Sequence, residues 1–180
     1  MNIHPIFVHF PIALLTIYAV LEILRFKKLT QNAVWFGIKA FLAIVGALAS
    51  IVAFSTGDTA VSALRSHPEL RQVLRVHESF ATWTVTIFCI IGASYLIILI
   101  GRWWKTKPSY GRFTATAAGK AWSFLRHIAE YIQRPAIIVI LALAGLFFIT
   151  VTGTLGGLMV YGKASDPFVG LVAKLFFPTL

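Results

Sequence analysis

Two histidines and two prolines open the chain in the run His4-Pro5-Ile6-Phe7-Val8-His9-Phe10-Pro11, directly ahead of an apolar segment. A helix that only has to cross a membrane needs none of the four. A third histidine, His77, followed by Glu78, opens a later apolar segment, and Asp58 follows Gly57 where another closes. These donors suit two kinds of site. Haem b needs two neutral imidazoles at similar depth on different helices, and His9 with His77 meets that condition, His4 being the alternative ligand. A non-haem site for copper, zinc or iron would instead take His4, His9 and His77 with Asp58 or Glu78. Either carboxylate could also hold the far nitrogen of a ligating histidine. Spacing along the chain does not separate the two kinds.

Small residues accompany these donors. Gly46, Ala49, Ser50, Ala53 and Gly57 recur at helical spacing, and Gly145, Thr152, Gly153, Gly156 and Gly157 do so later in the chain. Such stripes let membrane helices pack closely without any cofactor, and they equally suit a flat body lying against the helix. Arg65, Arg71 and Arg75 are candidate partners for haem propionates. Intramembrane ionisable residues are rare and usually functional, which favours a site over three incidental histidines. His67, followed by Pro68, reads as a solvated turn residue, and His127 belongs to the opposite end.

The elements that must position these groups are membrane helices. The chain is 58% hydrophobic and 12% charged, with a mean hydropathy of +0.84, against a charged fraction of roughly a quarter in ordinary globular domains. Four runs have the roughly 20 apolar residues that a crossing needs: about 6–24, 33–55, 77–102 and 135–161. The predicted fold is therefore all-α, an integral membrane four-helix bundle forming one domain over 1–180. Pro11 removes a backbone donor and disfavours helix at Phe10, which predicts a bent or separate turn over His4 to Phe10; an unbroken helix would point His4 and His9 about 140° apart. Pro135 suits a first helical turn. Residues 113–133 read as an interfacial amphipathic helix, with Trp122, Phe124, Leu125, Ile128, Tyr131 and Ile132 among Lys120, Arg126 and Glu130. Asp166-Pro167 reads as the cap and first turn of a short surface helix over 167–177.

Charge sets the expected orientation. The formal net charge of +10 is concentrated in flanking loops, where it sets topology, and is not a nucleic-acid signal. Arg25, Lys27 and Lys28 follow the first run, and seven basic residues with the single acid Glu130 fill 102–134. By the positive-inside rule both loops are cytoplasmic and both termini periplasmic. His4, His9, Asp58, His77, Glu78 and the late glycines then share the outer leaflet. No basic n-region or small-residue cleavage site precedes the first run, so the first helix is expected to persist. The single cysteine, Cys89, excludes a disulfide framework or thiolate cluster within one chain. P-loop, dinucleotide, nucleophile-elbow and metalloprotease motifs do not occur.

The run His4-Pro5-Ile6-Phe7-Val8-His9-Phe10-Pro11-Ile12-Ala13-Leu14-Leu15 resembles the opening signature of the bacterial four-helix membrane proteins called domain of unknown function 2231. Gly57-Asp58, His77 and the ending Gly156, Gly157, Val160, Tyr161, Gly162 extend the resemblance over most of the chain; the basic segment 102–134 is longer than that family's usual connection. The resemblance implies kinship with four-helix b-type cytochromes, some with Rieske domains attached, with His4, His9 and His77 as the positions carried over. The expectation is a bacterial inner-membrane electron carrier or subunit rather than a stand-alone enzyme. It would bind haem b through two histidines near the periplasmic face, between a quinol and a Rieske-type or c-type carrier, as a monomer or an oligomer. A metal-handling membrane protein and a non-redox structural subunit are the alternatives.

Overall fold

A computed structural model describes residues 4–25, 32–64, 70–162 and 166–177, with side chains except at 4–6, 33 and 58–64. All the described elements are helices: α1 (His4–Ile23), α2 (Ala33–Leu64), α3 (Arg71–Lys105), α4 (Tyr110–Thr114), α5 (Ala117–Ile132), α6 (Pro135–Tyr161) and α7 (Pro167–Phe176). Four of them make an up-down bundle. α1 packs on α2 and α6, and α3 packs on the same two, so α1 and α3 run parallel on one diagonal. They meet across it through Tyr18, whose ring stands edge-on to Phe88 at 6.4 Å and to Tyr95 at 5.9 Å. Leu15, Ala43, Ile91 and Ala142 complete the buried centre.

Three of the helices are long and apolar enough to cross a membrane, over Val34–Gly57, Arg71–Lys105 and Pro135–Tyr161. The fourth member, α1, is apolar over the shorter stretch Phe7–Ile23; its 20 residues rise about 30 Å, the thickness of a hydrocarbon core. Apolar side chains cover all sides of these helices, as lipid on one face and protein on the other require. Phe41, Leu48, Ile140 and Phe147 are among those exposed on the outside.

Three boundaries within the bundle helices differ from the sequence reading. α1 runs through Pro11 without a separate turn. The proline deprives only the Phe7 carbonyl of its donor, a loss that membrane helices tolerate. α2 continues past Ser55–Asp58 to Leu64, because the hydroxyls of Ser55 and Thr56 donate back to the carbonyls of Val52 and Ala53 at 2.9 Å and are satisfied without ending the helix. α3 starts at Arg71, so His77 lies nearly two turns inside it. Hydropathy marks where the apolar solvent begins, and Arg and Gln are good helix formers outside it.

The segment 102–134 folds back on the bundle. Thr116 caps α5 by accepting from the Gly119 amide, so the amphipathic helix is shorter than expected, and the separate turn α4 precedes it. α5 docks on the end of α3, where Trp122 meets Trp104 at 5.6 Å and Gln133 donates to Ser94 Oγ at 2.8 Å. It leaves Phe124, Leu125, Ile128 and Tyr131 exposed. At the other end Asp166 Oδ1 accepts from the amides of Phe168 and Val169, with Pro167 in the first turn, as the sequence predicted. α7 buries Val172, Ala173 and Phe177 against Val73, Val151 and Leu155.

Candidate functional site

The candidate ligands gather where α1 and α3 begin, the histidine end. On α3 the half-buried His77 turns its ring toward α6: a Cβ on Gly156 would lie 3.6 Å from His77 Cε1. On α1 Ile12 faces the neighbouring glycine, its Cδ1 3.8 Å from a Cβ on Gly153. α1 and α6 are antiparallel, so three residues outward from Ile12 on one and from Gly153 on the other bring His9 level with Gly156. The register thus places His9 at the depth of the glycine that His77 meets. His9 is exposed. His4 lies on the continuous α1, and its side chain is outside the described residues.

The remaining expectations divide. Glu78, one residue on from His77, is exposed and about 100° round α3. Arg71 and Arg75 are also exposed, Arg75 about 160° round the helix from His77, so the pair does not share its face. Gly157 faces α7 rather than the histidines, its Cβ position 3.9 Å from Val169 Cγ2. Gly57 is a half-buried helical residue. The side chain of Asp58, and Arg65 and His67 altogether, lie outside the described residues. Among the described residues no group of three His, Cys, Asp or Glu side chains is placed to hold a metal ion. His9, His77 and Glu78 therefore do not form a three-donor centre.

Two sorts of glycine share these helices. A Cβ on Gly145 would lie 2.7 Å from Phe88 Cζ, one on Gly92 3.1 Å from the Ala43 carbonyl, and one on Gly46 inside the Leu15 side chain. These three are small because helices pack there. Gly153 and Gly156 meet nothing closer than 3.8 and 3.6 Å, and helix packing does not require them to lack a side chain.

The opposite, basic end is organised by a carboxylate. Glu22 is 1% exposed, and Lys39, 8% exposed, donates to its Oε2 at 2.6 Å. Tyr95 Oη donates to the same oxygen at 3.1 Å, and Arg25 Nη1 to Oε1 at 3.1 Å. Three helices are tied to one side chain. A buried charge in such surroundings needs both a counter-charge and its hydrogen bonds filled, and Glu22 has both.

A family model described as "Predicted membrane protein (DUF2231)" matches residues 1–165. The chain belongs to that family. No curated protein and no solved structure matches it. The DUF2231 match takes in both histidines, the glycines of α6 and the Glu22 cluster, and stops short of α7.

The sequence reading passed over that cluster within the DUF2231 region. Neither Glu22 nor Lys39 is among the residues that the chemistry of the histidine motif singles out. A lone acid closes the first apolar run and a lone base lies near the start of the second, Glu22 and Lys39, on helices that an antiparallel hairpin makes neighbours. Opposite charges inside adjacent membrane helices pair.

Proposed function

We propose that the histidine end holds a b-type haem between His77 and His9, and that the protein is an electron-transfer carrier or subunit of a bacterial cytoplasmic membrane. One observation carries the reading. His77 Cε1 lies beside Gly156, which a Cβ would not crowd, and the helical register puts His9 of the diagonal helix at the same depth. The donor chemistry fits, with two imidazoles on diagonal helices at one depth, and helix packing within the chain does not explain the glycines beside them. A haem so held supplies one-electron transfer.

The protein's own part is to fix the ring of His77 through α3, to present His9 from α1, and to keep a space at Gly153 and Gly156. Positive-inside orientation puts the basic end in the cytoplasm and the histidine end on the periplasmic side. Exchange would then run between a quinol in the bilayer and a periplasmic Rieske-type or c-type carrier.

The test is an absorbance spectrum of protein made with haem supplied. A Soret band and a sharp α band on reduction, both lost in His77→Ala, are expected; a colourless preparation overturns the reading. His4→Ala and His9→Ala identify the ligand on α1. Stoichiometric copper or zinc without haem iron would move the assignment to a metal-handling protein.

A further inference from the structure

We propose that the basic end carries a second site, a cavity built to take the phosphate of an anionic ligand at the membrane surface. It is independent of the histidine end. The cavity holds about 490 Å³, within the range of roughly 300–1,000 Å³ usual for small-ligand pockets. Its floor is Glu22 with Lys39, and its walls come from the ends of α1, α2 and α3 and from α5.

The charges do not balance. Arg25, Lys39, Arg102, Lys105 and Arg126 line the space against Glu22 and Glu130, five cations to two carboxylates and a net charge of +3. Both carboxylates are already engaged. Glu22 serves Lys39 and Arg25, and Glu130 Oε1 accepts from Arg126 Nε at 2.8 Å and Nη2 at 2.7 Å. The surplus cations are Arg102, whose guanidinium lies 4.1 Å over the Phe36 ring, and Lys105. Cations held round a space with low-dielectric walls concentrate potential in it. Phosphate is the common anion whose several acceptor oxygens suit guanidinium forks and an ammonium together.

A phospholipid headgroup and free phosphate offer the same chemistry here. The rim supports the lipid: the exposed Phe124, Leu125 and Ile128 of α5 and Ile38 and Phe41 of α2 are apolar surfaces on the elements that form the cavity.

The test uses the full-length protein purified in neutral detergent, with Tm and native mass spectra read against added phosphatidylglycerol, phosphatidylcholine or inorganic phosphate. Phosphatidylglycerol should raise Tm and stay bound where phosphatidylcholine does not. Arg102→Gln with Lys105→Gln should weaken that binding about tenfold. Lys107→Gln with Lys120→Gln, which removes equal charge outside the cavity, should leave it within about twofold. Arg102→Lys with Lys105→Arg keeps the charge and should keep binding, which separates loss of the site from loss of the fold. Inorganic phosphate raising Tm with the same dependence on Arg102 and Lys105 would make the ligand a soluble phosphate. Stabilisation by neither probe, or equal losses in the two charge-removing variants, overturns the proposal.

Discussion

The two ends of this bundle handle polar groups in opposite ways. At the basic end Glu22 is closed in by Lys39, Arg25 and Tyr95, and the glycines below it, Gly46, Gly92 and Gly145, are filled over by neighbours. At the histidine end His9 is exposed, His77 is half-buried, and a Cβ on Gly153 or Gly156 would meet only ordinary contacts. One bundle thus combines a locked half with a slack half. The lock holds α1, α2 and α3 in register, and that register sets which residue of α1 stands level with Gly156. A site left open at one end depends on electrostatics satisfied at the other.

Breaking the lock should have the largest effect. Glu22→Leu strands Lys39 in the bundle and is expected to cost about 3–5 kcal/mol, whereas Glu22→Leu with Lys39→Met should recover much of the loss. Unfolding of the purified protein in mixed micelles measures both. A single variant as stable as the double would mean that the cluster does not hold the helices, and the contrast between the two ends would fail.

The next effect sharpens the comparison, because it sets two glycines of one helix against each other. Gly145→Ala drives a methyl into the Phe88 ring and should cost roughly 1–3 kcal/mol. Gly156→Ala meets only ordinary contacts and should be neutral or stabilising by up to about 1 kcal/mol. Gly156→Leu should then remove any cofactor signal from a protein that still folds. Equal costs at Gly145 and Gly156 would make both of them packing glycines and remove the reason to place a flat ligand at the histidine end.

What the sequence made legible follows the same division. Four apolar runs, the Pro135 and Asp166-Pro167 helix starts and the amphipathic segment were readable because solvent dictates them: lipid demands apolar length, and backbone donors demand caps. Helix ends beyond the apolar runs were not, since Ser55, Thr56, Arg71 and Gln72 are as compatible with a continuing helix as with a loop. Gathering His9 and His77 at one end followed from topology alone. Which glycine served which neighbour did not: Gly157 turned to α7 and Gly156 to His77, a matter of 100° of helix rotation that composition does not encode. Glu22 stands at the end of its apolar run, where an acid equally marks the boundary to water, and only the packed bundle shows it paired with Lys39.

The smallest change tests the basic end most finely. Arg126 and Glu130 form an i, i+4 pair on the exposed side of α5, with the base N-terminal to the acid, the less favourable order on a helix. Its hydrogen bonds to Glu130 hold the Arg126 guanidinium above its ordinary pKa, but solvent screens the pair, and Glu130→Gln should cost no more than about 0.5 kcal/mol. The same substitution takes the cavity from +3 to +4 and releases a guanidinium fork. If the cavity holds a phosphate, binding of phosphatidylglycerol should therefore strengthen while stability barely moves, and the gain should shrink as salt shortens the ~10 Å screening length of 0.1 M solution. Weaker binding would show that Glu130 is needed to hold Arg126 in place, and the basic end would then be locked throughout, with no charge left over for a ligand.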